Sequence, residues 1–270
     1  MPEGPSIVIL REAIEAAGLP GQTVETANGN ASIDHARLAH RRLKAVRSWG
    51  KHTLLEFDDD LTVRIHLLMF GSYRINELKP DAAPRLALEF EGGDQLNFYT
   101  CSVQFIEQPL EQVYDWRADV MSDQWDAVLA RKKLRAQPDT LACDAILDQT
   151  VFAGAGNIFK NEVLFRIRVH PLSTIGALPA AKLRELVDET QRYGGQFLAW
   201  KKAGVLKQNW LAHTKRTCPR CLIPFTKAKL GKGERRSFFC ESCQRRYGAP
   251  GSGEGQGVRR ARQDPELPMA

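Results

Sequence analysis

The chain has 270 residues and a mass of 30.3 kDa, with 43% hydrophobic residues, 26% charged residues and a formal net charge of +6. This length exceeds that of a typical single domain, and the composition excludes a collagen-like or wholly disordered chain. The sequence contains no apolar run of about 18 residues, and MPEGPSIVIL lacks the pattern of a secretory signal. We expect several domains, a cytoplasmic location and no contact with membranes.

The first predicted element is a helix over residues 5–17. Ile7, Leu10 and Ile14 recur at the spacing of one helical face, with a proline at the first helical position and Gly18 just past the end. One apolar face on such a helix predicts that it packs against the rest of its domain.

Short runs rich in β-branched and aromatic residues follow between residues 42 and 107. They read LKAVRSW, HTLLEF, LTVRIHL, YRINEL, RLALEF, QLNFY and SVQFIE. Turn signals rich in Asp and Gly separate them, and strands at about ten-residue spacing are typical of an antiparallel sandwich or barrel. The first domain, residues 1–115, is therefore predicted to be an antiparallel β-sandwich with a flanking helix.

The next stretch, residues 116–212, has a helical pattern. Its helical segments read RADVMSDQWDAVLARKKL, DTLACDAILDQTVF, GNIFKNEVLFRIRV and ALPAAKLRELVDETQRYGGQFLAW. Within it, Gly154 and Gly156 are predicted to close one helix and Asn157 to open the next. Glycines let a ligand approach the backbone, and a helix start attracts anions, so the junction predicts a phosphate site; an ordinary N-cap role for Asn157 is the alternative.

The cysteines give the strongest spacing signal. They are Cys101, Cys143, Cys218, Cys221, Cys240 and Cys243. The last four form two C-x-x-C pairs separated by eighteen residues, as in tetrahedral structural zinc sites. We predict that these four bind one structural Zn²⁺ ion within a β-hairpin unit, residues 213–248, with disulfides as the less favoured alternative in a reducing cytosol. Cys101 and Cys143 are expected to be small buried hydrophobic residues.

Positive charge is concentrated near the C-terminal end. Seven lysines and six arginines face two glutamates between residues 201 and 248, a net charge of +11, whereas the rest of the chain sums to −5. A nucleic-acid backbone is the commonest partner for such a segment, and a merely solvated basic face is the alternative. The Gly- and Pro-rich residues 249–270 are predicted to form a disordered tail.

The N-terminus offers a nucleophile if Met1 is removed, because the chain then begins with the secondary amine of Pro2, followed by Glu3. An α-amino group titrates near ~7.8, well below a lysine near ~10.4, so much more of it is free base at neutral pH. Attack on the anomeric carbon of a sugar would expel the base and give a cationic iminium. A proline at position 2 without further signals would be an ordinary terminus.

Four blocks carry a family resemblance in the right order. They are MPEGP, GKHTLLEF, DQTVFAGAGNIFKNEVLFRIRVHP and CPRC followed by ERRSFFCESCQ. Together they resemble the formamidopyrimidine-DNA glycosylase and endonuclease VIII family over residues 1–247. The resemblance implies an α+β multidomain fold with a β-sandwich, a helix-two-turn-helix domain and a β-hairpin zinc finger. It also implies a bifunctional DNA repair enzyme that removes an oxidised base and cuts the strand by β,δ-elimination.

The resemblance also implies roles for single residues. Pro2 matches the nucleophile that forms the Schiff base, and Glu3 the acid that protonates the sugar. Lys51 matches a lysine that contacts phosphate near the lesion and assists catalysis. Asn157 matches the phosphate-binding asparagine of the helix-two-turn-helix, and Arg235 the arginine at the tip of the zinc hairpin.

A further implied feature is a wedge that fills the duplex when the damaged nucleotide is flipped out. Leu68, Met69 and Phe70 stand where the family keeps these intercalating residues. The alternative is that all three are core residues of a strand.

The expected substrate is damaged double-stranded DNA. Residues 98–107 lack the Arg-Arg-Phe-Gly loop of the formamidopyrimidine branch, which favours the endonuclease VIII branch and oxidised pyrimidines, whereas Ser6 replaces a glutamate of well-known endonuclease VIII sequences. An oxidised-purine glycosylase, an enzyme limited mainly to abasic-site cleavage and a catalytically silent DNA-binding protein remain as alternatives. We expect no organic cofactor, and a monomer by analogy with the family.

Overall fold

The structure is a computed structural model that describes residues 2–248, so Met1 and the predicted tail, 249–270, lie outside the described residues. The helices are α1 (Gly4–Ala16), α2 (Leu110–Val113), α3 (Ala127–Arg135), α4 (Ala142–Ala145), α5 (Asn157–Arg166) and α6 (Ala180–Lys202). The strands are β1 (Val24–Asn28), β2 (Leu43–Trp49), β3 (His52–Phe57), β4 (Thr62–Ile75), β5 (Leu86–Phe90), β6 (Gln95–Ile106), β7 (Thr226–Leu230) and β8 (Arg235–Phe239).

The first six strands form one antiparallel sheet in the order β1-β5-β6-β4-β3-β2. A bridge between Thr23 and Arg42 joins the two edge strands at one end, so the sheet curls on itself. The predicted antiparallel β-domain is confirmed. Most of LTVRIHL and the first half of YRINEL belong to the single long strand β4. QLNFY and all but the last residue of SVQFIE belong to β6, and β1 is a strand that the sequence pattern did not indicate.

Helix α1 confirms the predicted N-terminal helix. Ile7, Leu10 and Ile14 are fully buried and join the core of the curled sheet, which also includes Val63 and Phe98. Burial of such side chains contributes roughly 1.5–3 kcal/mol each. This packing fixes the chain that leads into α1, and with it the residues just before the helix.

The second region is helical, but its first two helices are shorter than predicted. The segment that begins RADV is α-helical only from Ala127, and α4 ends at Ala145. The prediction that Gly154 closes a helix is therefore wrong: Gly154 lies in a turn with φ +94°, a conformation that favours glycine. Helix α6 is close to its predicted length.

The third unit is the predicted hairpin of β7 and β8, next to a small core of Phe165, Ala212, Phe225 and two cysteines. Gln244 joins this unit to the helical region, because its Oε1 accepts from Cys240 N at 2.9 Å and its Nε2 donates to Val169 O at 2.9 Å. None of the helices between residues 2 and 248 has the length and apolar character needed to cross a membrane.

Candidate active site

Three glycines let the N-terminus, the β2–β3 hairpin and the turn before α5 meet. Gly4 N donates to Gly154 O at 2.9 Å, and a Cβ on Gly4 would lie 3.1 Å from Gly154 Cα. A Cβ on Gly50 would lie 3.0 Å from Gly154 N. Side chains at these positions would push the three segments apart, so the glycines bring the sequence-predicted residues of separate segments into one place.

Glu3 is buried and caps helix α5 from outside the helix. Its Oε1 accepts from Ile158 N at 2.8 Å, and its Oε2 accepts from Phe159 N at 3.3 Å. Asn157 opens the helix as predicted, but it is the first helical residue; the N-cap is Gly156, which has no side chain to bond the helix. The N-cap alternative for Asn157 is therefore wrong, and the free N–H groups of the helix start bind the Glu3 carboxylate.

Burial shifts the pKa values of Glu3 and Lys51 in opposite directions. Loss of water raises the pKa of Glu3, against the two backbone hydrogen bonds and the Lys51 charge, which lower it. Burial also lowers the pKa of Lys51; the Glu3 charge raises it, and the Arg235 charge lowers it further. Lys51 therefore interacts as a charge both with Glu3 and with Arg235, although the three residues lie far apart in the sequence.

Lys51 lies in the two-residue turn between β2 and β3. Gly50 precedes it with φ +55°, which suits the first position of a tight hairpin turn. Gly50 N donates to Asp119 Oδ2 at 2.9 Å, and Met121 N donates to Asp119 Oδ1 at 2.9 Å. Burial raises the pKa of Asp119 to about 6. Asp119 thus ties the Lys51 turn to the helical region.

The first turn of α5 contacts the start of strand β8, next to the hairpin turn. Asn157 Nδ2 donates to Arg236 O at 3.0 Å, while Asn157 Oδ1 is buried without a hydrogen-bond partner among the described residues. Arg235 is exposed and opens strand β8. The structure therefore brings Asn157 next to the hairpin tip.

Leu68, Met69 and Phe70 protrude from β4. The register with β6 passes from Leu67 opposite Cys101 to Ser72 opposite Tyr99, so the residues between them bulge out of the sheet. Phe70 is 79% exposed, and Leu68 and Met69 are also exposed. The alternative that these three residues form strand core is wrong. We call them the apolar bulge.

A cleft of about 810 Å³ opens beside the N-terminus. It is lined by residues from α1, the apolar bulge, the start of α5 and the chain after α6, among them Pro2, Ser6, Met69, Ile158 and Trp210. Pro2 therefore lines the same cleft as Ser6, the residue that stands in place of a glutamate in well-known endonuclease VIII sequences. The lysines Lys201 and Lys207 and the acid Glu77 also line it.

The four cysteines of the two C-x-x-C pairs converge. Their sulfur atoms lie within 4.8 Å of one another, and Cys218 Sγ is 3.8 Å from Cys243 Sγ. Sulfurs bound tetrahedrally at a Zn–S distance of about 2.3 Å are separated by about 3.8 Å. The donor set and its spacing thus fit a structural zinc ion. Cys101 and Cys143 are buried elsewhere, as predicted.

Two further charged residues of α5 are buried beside the site, and no motif in the sequence marks them. Lys160 is fully buried against the hairpin tip. Glu162, also fully buried, accepts hydrogen bonds from the backbone N–H groups of Leu211, Ala212 and His213 at 2.8–3.0 Å, which fixes the chain that leads into the four-cysteine unit. Single charges on a helix are normally solvated, so no sequence signal separates these two from surface residues.

The sequence comparisons agree with this architecture. Residues 1–101 match the formamidopyrimidine-DNA glycosylase N-terminal domain, and residues 118–204 match the formamidopyrimidine-DNA glycosylase H2TH domain, together more than two thirds of the chain. The mouse protein Endonuclease 8-like 3 is 28% identical over 91% of this chain and 46% of its own length. Bovine Endonuclease 8-like 2 is 33% identical over 67% of this chain and 57% of its own length. The chain spans about half the length of these curated relatives.

Solved structures share the fold. The Lactococcus lactis formamidopyrimidine-DNA glycosylase, non-covalently bound to DNA containing an abasic site, superposes with a TM-score of 0.78, covering 90% of this chain and all of that one at 22% identity. A viral DNA glycosylase gives 0.77 at 17% identity, covering 90% of this chain and 99% of that one. On its two matching domains, its endonuclease 8-like relatives and its fold, the chain belongs to the formamidopyrimidine-DNA glycosylase and endonuclease VIII family.

Proposed function

We propose that the chain is a bifunctional DNA glycosylase and abasic-site lyase that acts on oxidised bases in duplex DNA. Members of the family are DNA glycosylases of base excision repair. The single observation that carries the proposal is the position of Glu3, a buried carboxylic acid with a raised pKa directly after Pro2, which lines an open cleft. A general acid beside an amine nucleophile is what sugar-base cleavage with ring opening requires.

The proposed reaction begins once Met1 has been removed. The neutral amine of Pro2 attacks C1′ of the deoxyribose and the bond from C1′ to the base breaks; the base leaves with the bonding electrons and takes up the proton that the Pro2 nitrogen loses. Glu3 protonates the ring oxygen O4′ as the ring opens, which leaves an iminium between Pro2 and C1′. Loss of the protons at C2′ and C4′ then expels the 3′ and 5′ phosphates in turn, and water releases the product from the enzyme.

Cations and the apolar bulge would hold the nucleotide outside the helix. Lys51, the second N–H of the Asn157 amide and Arg235 would bind backbone phosphates around one nucleotide. Leu68, Met69 and Phe70 would enter the base stack and keep the duplex bent. Their exposure supports this role, because large apolar side chains at a protruding site are costly unless they meet a partner.

Several finer points belong to the same proposal. Oxidised pyrimidines are the favoured lesions, because residues 98–107 form part of strand β6 and its end and carry no arginine loop. One structural Zn²⁺ held by Cys218, Cys221, Cys240 and Cys243 would stabilise the hairpin that presents Arg235; with four cysteine ligands it would leave no position open for catalysis. We also propose the domain limits 1–115, 116–212 and 213–248, a monomeric state and action on chromosomal DNA in the cytoplasm.

Borohydride trapping tests the mechanism. Protein with a free Pro2 amine is incubated with duplex containing thymine glycol or an abasic site plus borohydride, and a covalent adduct is expected. The matched control retains one residue before Pro2; it should bind a tetrahydrofuran-containing duplex normally and give no adduct. Full turnover by the blocked protein would refute the amine mechanism, and tight binding without any adduct by the free protein would favour a silent DNA-binding protein. Faster cleavage of 8-oxoguanine opposite cytosine than of thymine glycol would assign oxidised purines instead.

A further inference from the structure

Lys160 is a fully buried lysine whose side-chain hydrogen bonds all go to the start of strand β8, next to the hairpin turn. Its Nζ lies 2.8 Å from Ser237 Oγ, 3.2 Å from Arg236 O and 3.3 Å from Arg235 O. All three acceptors are uncharged groups: two backbone carbonyls and a serine hydroxyl. Asp144 and Glu3 act on Lys160 as more distant charges.

Such a lysine is costly to bury. Loss of water lowers the pKa of Lys160 to about 8, so the fold disfavours its charged form. An apolar side chain would fill the same space without this cost. The benefit of burying this lysine is therefore its hydrogen bonding to three oxygen atoms of the hairpin. Two of these oxygens are the backbone carbonyls of Arg235 and Arg236.

Asp144 holds the other side of the same turn. Lys232 N donates to Asp144 Oδ1 at 3.0 Å and to Oδ2 at 3.2 Å. Gly231, with φ +75°, leaves room for this contact, because a Cβ there would overlap the Asp144 carboxylate. An acid thus binds a backbone donor within the turn, and a base binds backbone acceptors just after it. We call Asp144 and Lys160 the hairpin clamp.

We propose that the hairpin clamp, and Lys160 above all, sets the position of Arg235 for DNA binding. Lys160 makes no contact with substrate in this scheme; it is a positioning residue that acts through the backbone of Arg235. Both hairpin strands are short, and β8 is joined to the rest of the chain on this side mainly by α5. Without the clamp, the zinc site would still form, but Arg235 would no longer be held beside Lys51. The inference rests on the proposed function, since it assumes that Arg235 binds DNA.

A double-mutant cycle tests this. Binding to a tetrahydrofuran-containing duplex is measured for the unaltered protein, Arg235→Ala, Lys160→Met and the double variant, as a function of salt. Removing Arg235 alone is expected to weaken binding about tenfold and to reduce the salt slope by about one. Lys160→Met should weaken binding nearly as much, and adding Arg235→Ala to it should cost less than about twofold more. Independent, multiplying losses would overturn the proposal.

Controls separate positioning from folding and from the proposed function. Lys132→Met removes one charge from an exposed lysine of α3 and should leave affinity unchanged. Each variant should retain one zinc per chain. If Lys160→Met does not fold, Asp144→Ala replaces it in the cycle, and a full tenfold effect of Arg235→Ala in that background overturns the proposal. If Arg235→Ala has no effect in the unaltered protein, the phosphate role in the proposed function fails first, which the cycle reports separately.

Discussion

Gly156 and Glu3 are so close that no side chain fits at position 156. A Cβ on Gly156 would lie 2.5 Å from both Cδ and Oε1 of Glu3. The glycine is the N-cap of α5, so the helix start is open to a carboxylate that arrives from a residue more than 150 positions away. A helix N-terminus commonly binds an anion, and here it binds the proposed catalytic acid.

Gly156→Ala should therefore displace Glu3 while leaving the helix able to form. We expect base excision to fall at least tenfold. The free energy of unfolding should decrease by about 1–2 kcal/mol, because the cap of α5 is weakened. Gly195→Ala is the matched control, since Gly195 lies within α6 and a Cβ there meets nothing within 4 Å; it should stabilise slightly, by about 0.5–1 kcal/mol. Single-turnover excision and thermal unfolding measure both effects, and equal behaviour of the two variants would contradict the role of Gly156.

Glu3→Gln tests the acid directly. Because burial raises the pKa of Glu3, the protonated acid persists to higher pH than usual and is then lost as pH rises through that pKa. The Pro2 amine has the opposite requirement, since it must lose its proton, so excision should depend on pH as a bell. Glutamine cannot donate a proton to O4′, and excision should fall by about 10²–10⁴. Trapping on a preformed abasic site should persist, and unchanged excision by Glu3→Gln would rule out this role.

Much of the fold could be predicted from the sequence because its signals are local. The apolar face of Ile7, Leu10 and Ile14 and the spacing of the cysteines each depend on a few neighbouring residues. The merging of two runs into β4 could not be predicted, since the exposed bulge between them breaks the alternating pattern without ending the strand. The ends of the short helices before α5 could not be predicted either. Helical periodicity does not show where a turn, such as the one at Gly154, replaces the helix.

The site was predictable only in part. Family motifs pointed to Glu3, Lys51 and Asn157, but nothing in a single sequence indicates that Glu3 caps α5 or that Lys160 is buried. These contacts join residues separated by 75 to 155 positions, so they depend on the tertiary fold. Asn157 illustrates the limit: its position at the helix start was right, but its side chain contacts the hairpin instead of capping the helix.

Phe70→Ala distinguishes a DNA-inserting residue from a structural one. Phe70 is 79% exposed, so its truncation should change the free energy of unfolding by less than about 0.5 kcal/mol. If Phe70 fills the stack of a bent duplex, excision from duplex DNA should fall at least tenfold, because unstacking costs a few kcal/mol per step. Val128→Ala, at an exposed position of α3, is the control and should leave excision unchanged. A stable Phe70→Ala variant with full activity would remove Phe70 from the proposed wedge.

Metal removal should affect the four-cysteine unit and leave the β-domain folded. The small core around Phe165 and Phe225 includes two of the clustered cysteines, so loss of the ion should loosen β7 and β8. We expect one zinc per chain by metal analysis, and a loss of DNA affinity of at least tenfold after chelation, reversed by added zinc. The sheet core around Val63 and Phe98 lies outside this unit and should keep its own unfolding transition. Unchanged DNA affinity in metal-free protein would contradict the proposal.

Asp119→Asn tests how the Lys51 turn is held. Both Asp119 oxygens accept hydrogen bonds from backbone N–H groups, those of Gly50 and Met121. An amide offers only one acceptor oxygen, so the variant should lose about 1–3 kcal/mol of stability at neutral pH.

The same carboxyl group should make stability depend on pH. Burial raises the pKa of Asp119 from 3.8 to about 6, so the folded protein binds more protons than the unfolded chain between these values. Stability from this group is therefore greatest below about pH 4 and declines as pH rises to about 6. Urea unfolding across this range should show this decrease of the free energy of unfolding with pH in the unaltered protein but not in Asp119→Asn. The control Asp139→Asn, at an exposed position, should keep the decrease. An identical pH dependence in both variants would assign the proton to another group.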